Sequence, residues 1–271
     1  MNPRIVSLAP SATSILFALG AERHLVGVTR WCKDVAPVDG LPMLGDCWRC
    51  DPHQVAALKP NLVIGSVPYR EEVVRGLLRR GLTFLAMNPR TLTDVFSDIE
   101  HLGRLLSREK RAAQVVRRMR TRMERIAQQI PNSRHRPRVY CECWPKPRLV
   151  SPAWVEEMVA LAGGRFVPKT KSPSERIVSE QAILRTRPDV IILGWAACGL
   201  RVDPRKVLHR PGWSNLPAVR NRQVYVVSDE ALNTPGPPLV QGLEILARII
   251  HPEVFGPPSH SKIVRVASRV T

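Results

Sequence analysis

Tryptophan and cysteine are the residues of this 271-residue chain whose chemistry and placement point most directly to a site. Five of the six tryptophans lie in or next to loops that follow predicted strands: Trp31, Trp48, Trp144, Trp154 and Trp195. Indole rings at strand ends offer broad apolar surfaces, which suit a large, flat ligand. Both residue types are also common in protein cores, so simple packing is the alternative interpretation.

The six cysteines occupy the same loops or a strand end: Cys32, Cys47, Cys50, Cys141, Cys143 and Cys198. Thiolates converging from such loops could ligate zinc or an iron–sulfur cluster. However, Cys47-x-x-Cys50 lacks the second ligand pair that a structural zinc site requires. Cys141 and Cys143 would share one face of a strand, with Glu142 on the other. Metal ligation and burial as small hydrophobic residues both remain open.

Signatures of common enzymes are missing from the sequence. It contains no P-loop, GxGxxG, GxSxG or HExxH pattern, and no Asp-x-His-x-x-Gly pattern of proteins that hold cobalamin through a histidine. The chain is therefore predicted to bind a ligand without converting it.

One passage occurs twice and predicts the fold. Residues 54–65 and 182–194 each read as a short helix, a proline turn and an apolar strand that ends in glycine. Continuous Val/Ile/Leu strands are typical of parallel sheets covered on both faces. The sequence thus predicts an α/β protein of two Rossmann-like lobes, with a ligand cleft between them.

A glycine- and proline-free segment separates the two copies. Residues 107–130 place Ala113, Val116, Met119, Met123 and Ile126 at helical spacing, which predicts one long helix linking the lobes. The expected divisions are an N-terminal lobe at 1–106, this linking backbone helix, a C-terminal lobe at 131–255 and a basic flexible tail at 256–271.

The formal charge of +18 raises the alternative of a polyanion-binding protein. No nucleic-acid motif or interleaved aromatic pattern accompanies the basic residues, so no specific nucleic-acid partner is expected. The longest apolar run, at 190–200, is shorter than the roughly 20 residues that span a bilayer. The opening residues have no leader pattern, so either the protein is cytosolic or its sequence starts at a trimmed, mature N-terminus. The cysteines look like reduced thiols, which favours a cytoplasmic protein. A monomer is expected.

Several segments carry a family resemblance that extends to about residue 255. In the first half they are Arg4-Ile-Val-Ser-Leu-Ala-Pro-Ser-Ala-Thr13, Leu19-Gly20, Val26-Gly-Val-Thr29 and Ala57-Leu-Lys-Pro60-Asn-Leu-Val-Ile64. In the second half they are Glu142-x-Trp144-Pro145, Trp154, Ala160-Leu-Ala-Gly-Gly164, Pro188-Asp-Val-Ile191, Cys198-Gly199, Pro235-Gly-Pro-Pro238, Gly242-Leu-Glu-Ile-Leu246 and His251-Pro252. Together they resemble the helical-backbone substrate-binding proteins of ABC importers for cobalamin and metal chelates, in the cobalamin-binding branch whose members often lack a signal peptide.

The resemblance implies a corrinoid ligand, cobalamin or cobinamide, held between the lobes. The ligand-binding residues would be Trp31, Trp48, Glu142, Trp144, Trp154, Trp195 and Cys198. The chain departs from the family at Ser14, where glutamate is usual. His53 and Gln181 stand where docking glutamates pair with permease arginines, so docking on a permease is not expected.

Overall fold

The computed structural model describes residues 3–132, 136–172, 175–258 and 263–265. The chain divides into two compact units, one formed by Met1–Met119 with Pro235–Pro238 and the other by Arg120–Thr234 with Leu239–Thr271. Each unit contains its own β-sheet, so the predicted two-lobed α/β class is confirmed.

The first unit is an open parallel sheet with helices between its strands. Its elements in chain order are β1 (Ile5–Ser7), α1 (Pro10–Ala18), β2 (Leu25–Thr29), β3 (Met43–Leu44), α2 (Pro52–Ala57), β4 (Leu62–Ser66), α3 (Glu71–Leu78), β5 (Phe84–Met87) and α4 (Leu92–Leu105). The next helix, α5 (Glu109–Gln129), begins in the first unit and ends in the second. The strand order is β3-β2-β1-β4-β5, with all neighbours parallel. Its central strands β1 and β4 are almost wholly buried, as a sheet covered on both faces requires.

The second unit has a parallel centre and antiparallel edges. It contains β6 (Arg138–Pro145), β7 (Arg148–Val150), α6 (Ala153–Leu161), β8 (Arg165–Phe166), α7 (Glu180–Thr186), β9 (Val190–Leu193), α8 (Arg205–Leu208), α9 (Pro217–Arg220), β10 (Val224–Val227), α10 (Asp229–Asn233), α11 (Leu239–Ile250), α12 (Pro252–Phe255) and β11 (Ile263–Arg265). The strand order is β11-β10-β9-β6-β7, and β8 also pairs with β6. β7 and β11 run antiparallel to their neighbours.

The repeated passage takes the same conformation in both units. α2 leads to β4 and α7 leads to β9, and the residue before each turn proline has positive φ, 48° at Lys59 and 46° at Arg187. Each helix also begins with a side-chain cap, in which Asp51 accepts from the His53 amide and Ser179 accepts from the Ala182 amide. The repeat in the sequence is therefore a structural repeat.

The long helix is present, with small differences at its ends and along its apolar face. α5 covers 109–129 within the predicted 107–130, and Ala112 rather than Ala113 joins the buried stripe with Met119 and Met123. The division between the two units falls inside α5, after Met119. No helix of the described ranges is long and apolar enough to cross a membrane.

Part of the predicted flexible tail is ordered. Ile263–Arg265 forms β11, which pairs with β10 and places Tyr225 opposite Arg265. This short strand occupies the open edge of β10, where unpaired backbone groups would otherwise be exposed. Residues 259–262 and 266–271 of the tail lie outside the described residues.

Candidate ligand-binding site

In the first unit, two predicted tryptophans lie at the carboxyl ends of strands and reach solvent. Trp48 follows β3 and is 47% exposed, and Trp31 follows β2 and is half-buried. Each indole has a guanidinium beside it, with Arg70 6.0 Å from the Trp48 ring centroid and Arg30 4.4 Å from that of Trp31. An exposed ring with a nearby cation suits an aromatic or electron-rich ligand.

Local backbone hydrogen bonds hold the loop that carries Trp48. The Asp46 carboxylate accepts from the backbone amides of Trp48 and Arg49, at 3.0 and 3.1 Å. The Arg70 amide donates to the Cys47 carbonyl at 3.1 Å and ties this loop to the one after β4. The position of Trp48 is thus set by short-range contacts, which include a solvent-accessible carboxylate but no buried ion pair.

Tyr69 belongs with this group, although the sequence analysis did not select it. It follows β4, is half-buried, and packs edge-to-face on Phe84 with ring centroids 6.3 Å apart. The available clue was its position after a buried strand, the same criterion that selected Trp31 and Trp48. The criterion was applied to Trp and Cys alone, so Tyr69 was missed.

In the second unit, a buried carboxylate organises the carboxyl ends of the strands. Glu142 on β6 is fully buried, and the Arg210 guanidinium donates to both of its oxygens at 2.7 and 2.8 Å. The Tyr140 hydroxyl donates to it at 2.6 Å and the Trp195 indole N–H at 2.9 Å. Four donors therefore satisfy this carboxylate, as a buried charge requires.

Protonation in this network follows from the same contacts. Burial, together with the Glu142 charge, raises the pKa of Tyr140 well above its usual value, so the phenol stays a donor. Burial opposes the charge of Arg210, but its hydrogen bonds to Glu142 raise the pKa overall and keep it a cation. Tyr140 and Arg210 consequently both remain hydrogen-bond donors to Glu142.

A second carboxylate extends the network. Glu180 at the start of α7 accepts from the Trp213 indole N–H at 2.7 Å and from Arg148 at 3.1 Å. Trp213 also packs beneath the Arg210 guanidinium, 4.6 Å from its ring centroid. The segment between Trp195 and Arg210 is thus anchored at both ends to Glu142.

The predicted ligand contacts of the second unit separate into exposed and buried residues. Trp144 is 42% exposed at the end of β6, and Cys198 is half-buried in the segment after β9. In contrast, Trp154 and Trp195 are buried, and the Trp154 indole N–H is bonded to the Leu232 carbonyl at 2.9 Å. Trp154, Trp195 and Glu142 are therefore buried supports, because their polar atoms already have partners. The residues that stay exposed or half-buried at the strand ends are called the rim of each unit: Trp31, Trp48 and Tyr69 in the first, and Trp144 and Cys198 in the second.

The backbone around Cys198 is held by Asp229. Its carboxylate accepts from the amides of Ala197 and Gly199 at 2.9 and 3.0 Å. Burial raises the pKa of Asp229, and these two hydrogen bonds partly offset that effect. A fixed backbone turn therefore presents Cys198.

The cysteines do not form a metal centre. Among the residues that the structure describes, no group of three or more His, Cys, Asp or Glu side chains could hold an ion. Burial raises the pKa of Cys47 to about 12, that of Cys50 to about 11 and that of Cys143 to about 11, which disfavours the thiolate that a metal needs. Burial likewise raises the pKa of Cys32, Cys141 and Cys198. The donor set thus does not fit zinc or an iron–sulfur cluster.

Two open α/β units with aromatic side chains at the carboxyl ends of their strands define the class of two-lobed solute-binding proteins. The profile of the periplasmic binding protein family matches residues 5–231, so this chain belongs to that family. An uncharacterised ABC transporter substrate-binding lipoprotein from Bacillus subtilis is 29% identical over 93% of this chain and 81% of its own. A cobalamin-binding protein from Halobacterium salinarum is 25% identical over 92% of this chain and 69% of its own.

A solved structure confirms the fold. The periplasmic heme-binding protein from Pseudomonas aeruginosa superposes with a TM-score of 0.85 at 24% identity, covering all of both chains. At this level of identity the likeness concerns the fold alone.

The expectation of a cytoplasmic protein is wrong. The matching family is that of periplasmic binding proteins, and the Bacillus subtilis relative is a substrate-binding lipoprotein of an ABC transporter, so both work outside the cytoplasm. The expectation depended partly on unpaired cysteines. A buried thiol with a raised pKa is unreactive in any compartment, so it says little about location.

Proposed function

We propose that this chain is a non-enzymatic binding protein for a corrinoid, cobalamin or cobinamide. The observation that carries the proposal is the pair Trp48 and Trp144, two indoles almost half exposed at the carboxyl ends of strands in a family of binding proteins. The cobalamin-binding relative, which aligns with nearly the whole chain, supports the choice of ligand. That the ligand lies between the two units stays a prediction.

The rim residues suit a corrinoid better than a small polar solute. Trp31, Trp48 and Tyr69 give the first unit three partly exposed aromatic rings in the loops after its strands, and Trp144 adds one to the second unit. A macrocycle offers enough flat apolar area to cover several such rings, whereas a small ion would leave the rings exposed to water. Cys198 is the half-buried polar group on the second rim.

The alternative of a cysteine-ligated metal or cluster has less support. Five cysteines are buried with raised pKa values, and none belongs to a set of three metal-ligating side chains within the described part of the chain. Protein purified without air is expected to be colourless and nearly free of zinc and iron. Changing Cys47 and Cys50 to serine should leave corrinoid affinity within a few-fold.

Docking on a cobalamin permease is proposed to be weak. His53 and Gln181 occupy the second position of the equivalent helices α2 and α7, and both are exposed. Neither supplies the negative charge that would pair with permease arginines, and such charges mainly govern association rate and specificity. The variant H53E/Q181E should stimulate a reconstituted cobalamin importer more than the wild type does. Equal and strong stimulation by both would contradict the proposal.

The ligand is tested by calorimetric titration with cyanocobalamin, dicyanocobinamide and hemin. Saturable corrinoid binding is expected at about micromolar affinity or tighter, equivalent to about −8 kcal/mol. W48A and W144A should each weaken it about ten-fold or more, because each removes a large aromatic contact. L105A is the matched control, since Leu105 is 55% exposed on α4 and belongs to neither rim.

Two outcomes would refute the proposal. One is the absence of any corrinoid heat or tryptophan quenching up to saturating ligand. The other is hemin binding much more tightly than either corrinoid with the same dependence on Trp48 and Trp144, which would make the ligand a porphyrin.

A further inference from the structure

The exposed face of the long helix α5 is strongly cationic. The helix carries seven basic residues, Lys110, Arg111, Arg117, Arg118, Arg120, Arg122 and Arg125, against two acids, Glu109 and Glu124. All seven are exposed, while Met119, Met123 and other apolar residues fill the opposite face. Seven basic residues less two acids give this one helix a net charge of +5, out of +18 for the whole chain.

Four of these cations have no partner elsewhere in the described structure. Arg122 pairs with Glu244 and Arg111 donates to the Ala18 carbonyl. By contrast, Lys110, Arg117, Arg118 and Arg125 form no ion pair or side-chain hydrogen bond with any described residue. Their spacing places them along one side of the helix over about 22 Å at 1.5 Å per residue.

The residues that lie between these four on the same side of the helix are polar and uncharged. Gln114 and Gln128 are exposed among the cations, with Thr121 partly exposed, and α5 contains no aromatic residue. Sites for single-stranded nucleic acid usually combine positive charge with aromatic rings on which bases stack. A cationic row without such rings is complementary to a planar anionic surface, and duplex DNA is therefore the comparison in the test below.

We propose that the face of α5 formed by Lys110, Arg117, Arg118 and Arg125 docks reversibly on a bilayer that contains anionic lipid headgroups. Each Lys or Arg brought near such a surface strengthens binding about five-fold. The four together therefore account for a change of about 100-fold or more in partitioning. Because no apolar side chain lies among them, the contact is electrostatic, without insertion into the hydrocarbon.

Vesicle flotation tests the proposal and needs no corrinoid. The full chain is floated with phosphatidylglycerol–phosphatidylcholine vesicles and with pure phosphatidylcholine vesicles at about 0.1 M salt, where surface charges still act over about 10 Å. The wild type should bind only the anionic vesicles. K110Q/R117Q/R118Q/R125Q should lose about 100-fold or more in affinity, and glutamine preserves helix propensity.

A matched variant distinguishes a loss of the α5 face from a general loss of positive charge. R23Q/R79Q/R185Q/R220Q removes four exposed cations elsewhere and leaves the same net charge. It should retain binding within about five-fold of the wild type. Equal losses in both variants would overturn the proposal, as would wild-type binding to neutral vesicles of the same strength.

A short duplex DNA provides the remaining comparison at the same salt. Tighter binding to the duplex than to anionic vesicles, lost in the α5 variant alone, would replace the lipid surface with nucleic acid as the partner. Matching circular dichroism spectra and melting temperatures for all three proteins ensure that a loss of binding reflects the surface and not the fold.

Discussion

The two units share a helix–turn–strand repeat, yet they hold the loops at the carboxyl ends of their strands by different physical means. In the first unit, Trp48 is positioned by backbone amides on Asp46 and by packing around Cys47. In the second, Trp195 and Arg210 are tied by a fully buried carboxylate. The same scaffold can therefore present a rim through short-range, solvent-exposed contacts or through a desolvated ion pair.

The difference has an energetic consequence. Exposed local hydrogen bonds, such as those on Asp46, each contribute about 1 kcal/mol and can be lost singly. A buried ion pair adds little net stability when whole, yet removal of one partner leaves a buried charge without compensation. The second unit should therefore be much more sensitive to single substitutions at its rim.

The largest expected effect comes from removing the cation of the buried pair. R210M should lower the free energy of unfolding by about 3–5 kcal/mol, because Glu142 stays buried without its counter-charge. Urea unfolding at neutral pH measures it. The matched control R138M breaks the half-exposed pair with Asp189, which lies at side-chain exposures of 34% and 27%, and should cost about 1 kcal/mol.

A double variant sharpens this result. E142Q/R210M removes both charges, so its loss should be clearly smaller than the sum of the two single losses. Equal stability of R210M and R138M would show that Glu142 is not isolated from water in the folded protein, and the contrast between the units would fail.

The next-largest effect should make the first unit, not the second, the more sensitive to a single substitution. In the two strands of the repeat, Gly65 lies within β4 and Gly194 directly follows β9. A Cβ at Gly65 would lie 2.5 Å from the Cys47 sulfur and 2.7 Å from the Phe84 ring. At Gly194 the nearest atom would be 3.5 Å away. G65A should therefore lose about 1–3 kcal/mol through overpacking, whereas G194A should change stability by less than about 0.5 kcal/mol.

Thermal and urea unfolding of the two alanine variants provide the test. C47A/G65A gives a further check, since removal of the sulfur should recover part of the loss. If G65A and G194A were equally stable, the tight packing of Cys47 against β4 would be wrong.

The fold could be predicted from the sequence because its determinants are local. The repeated apolar strands, the proline turns and the cap residues Asp51 and Ser179 act within a few positions of one another. The long helix could be predicted for the same reason. β11 could not be predicted, because its pairing with β10 depends on a strand about 40 residues earlier.

The candidate site could be predicted only in part. Exposed Trp48 and Trp144 lie at strand ends as expected, since chain order alone places them there. Glu142 was selected, but its partner Arg210 was not, because 68 positions separate them and nothing in the local pattern of either residue marks the pair. Whether a tryptophan near a strand end faces solvent or the core likewise depends on distant side chains, as Trp154 and Trp195 show.

Substitution of the helix caps should have the same effect in both units, because the two units differ in how their loops are held and not in the repeat itself. Asp51 and Ser179 each accept one backbone amide, at 2.9 and 3.2 Å. D51A and S179A should each lose about 1 kcal/mol of unfolding free energy. Calorimetric melting under identical conditions compares them, and a difference beyond about 1 kcal/mol would mean that the repeat is equivalent in shape but not in energetics.

The smallest effect concerns thiol reactivity, which should differ between the rims without any change in stability. Cys198 is half-buried, while the other five cysteines are buried. Burial raises the pKa of Cys47 to about 12, so almost none of it is thiolate at pH 8, and the thiolate is the reactive form. A disulfide reagent should therefore label one thiol per folded chain and six in urea. C198S should label none when folded, and C47S should label like the wild type. Labelling of Cys47 at a rate similar to that of Cys198 would show that the first rim opens to solvent as readily as the second, because a thiol held in a closed core reacts only when the core opens.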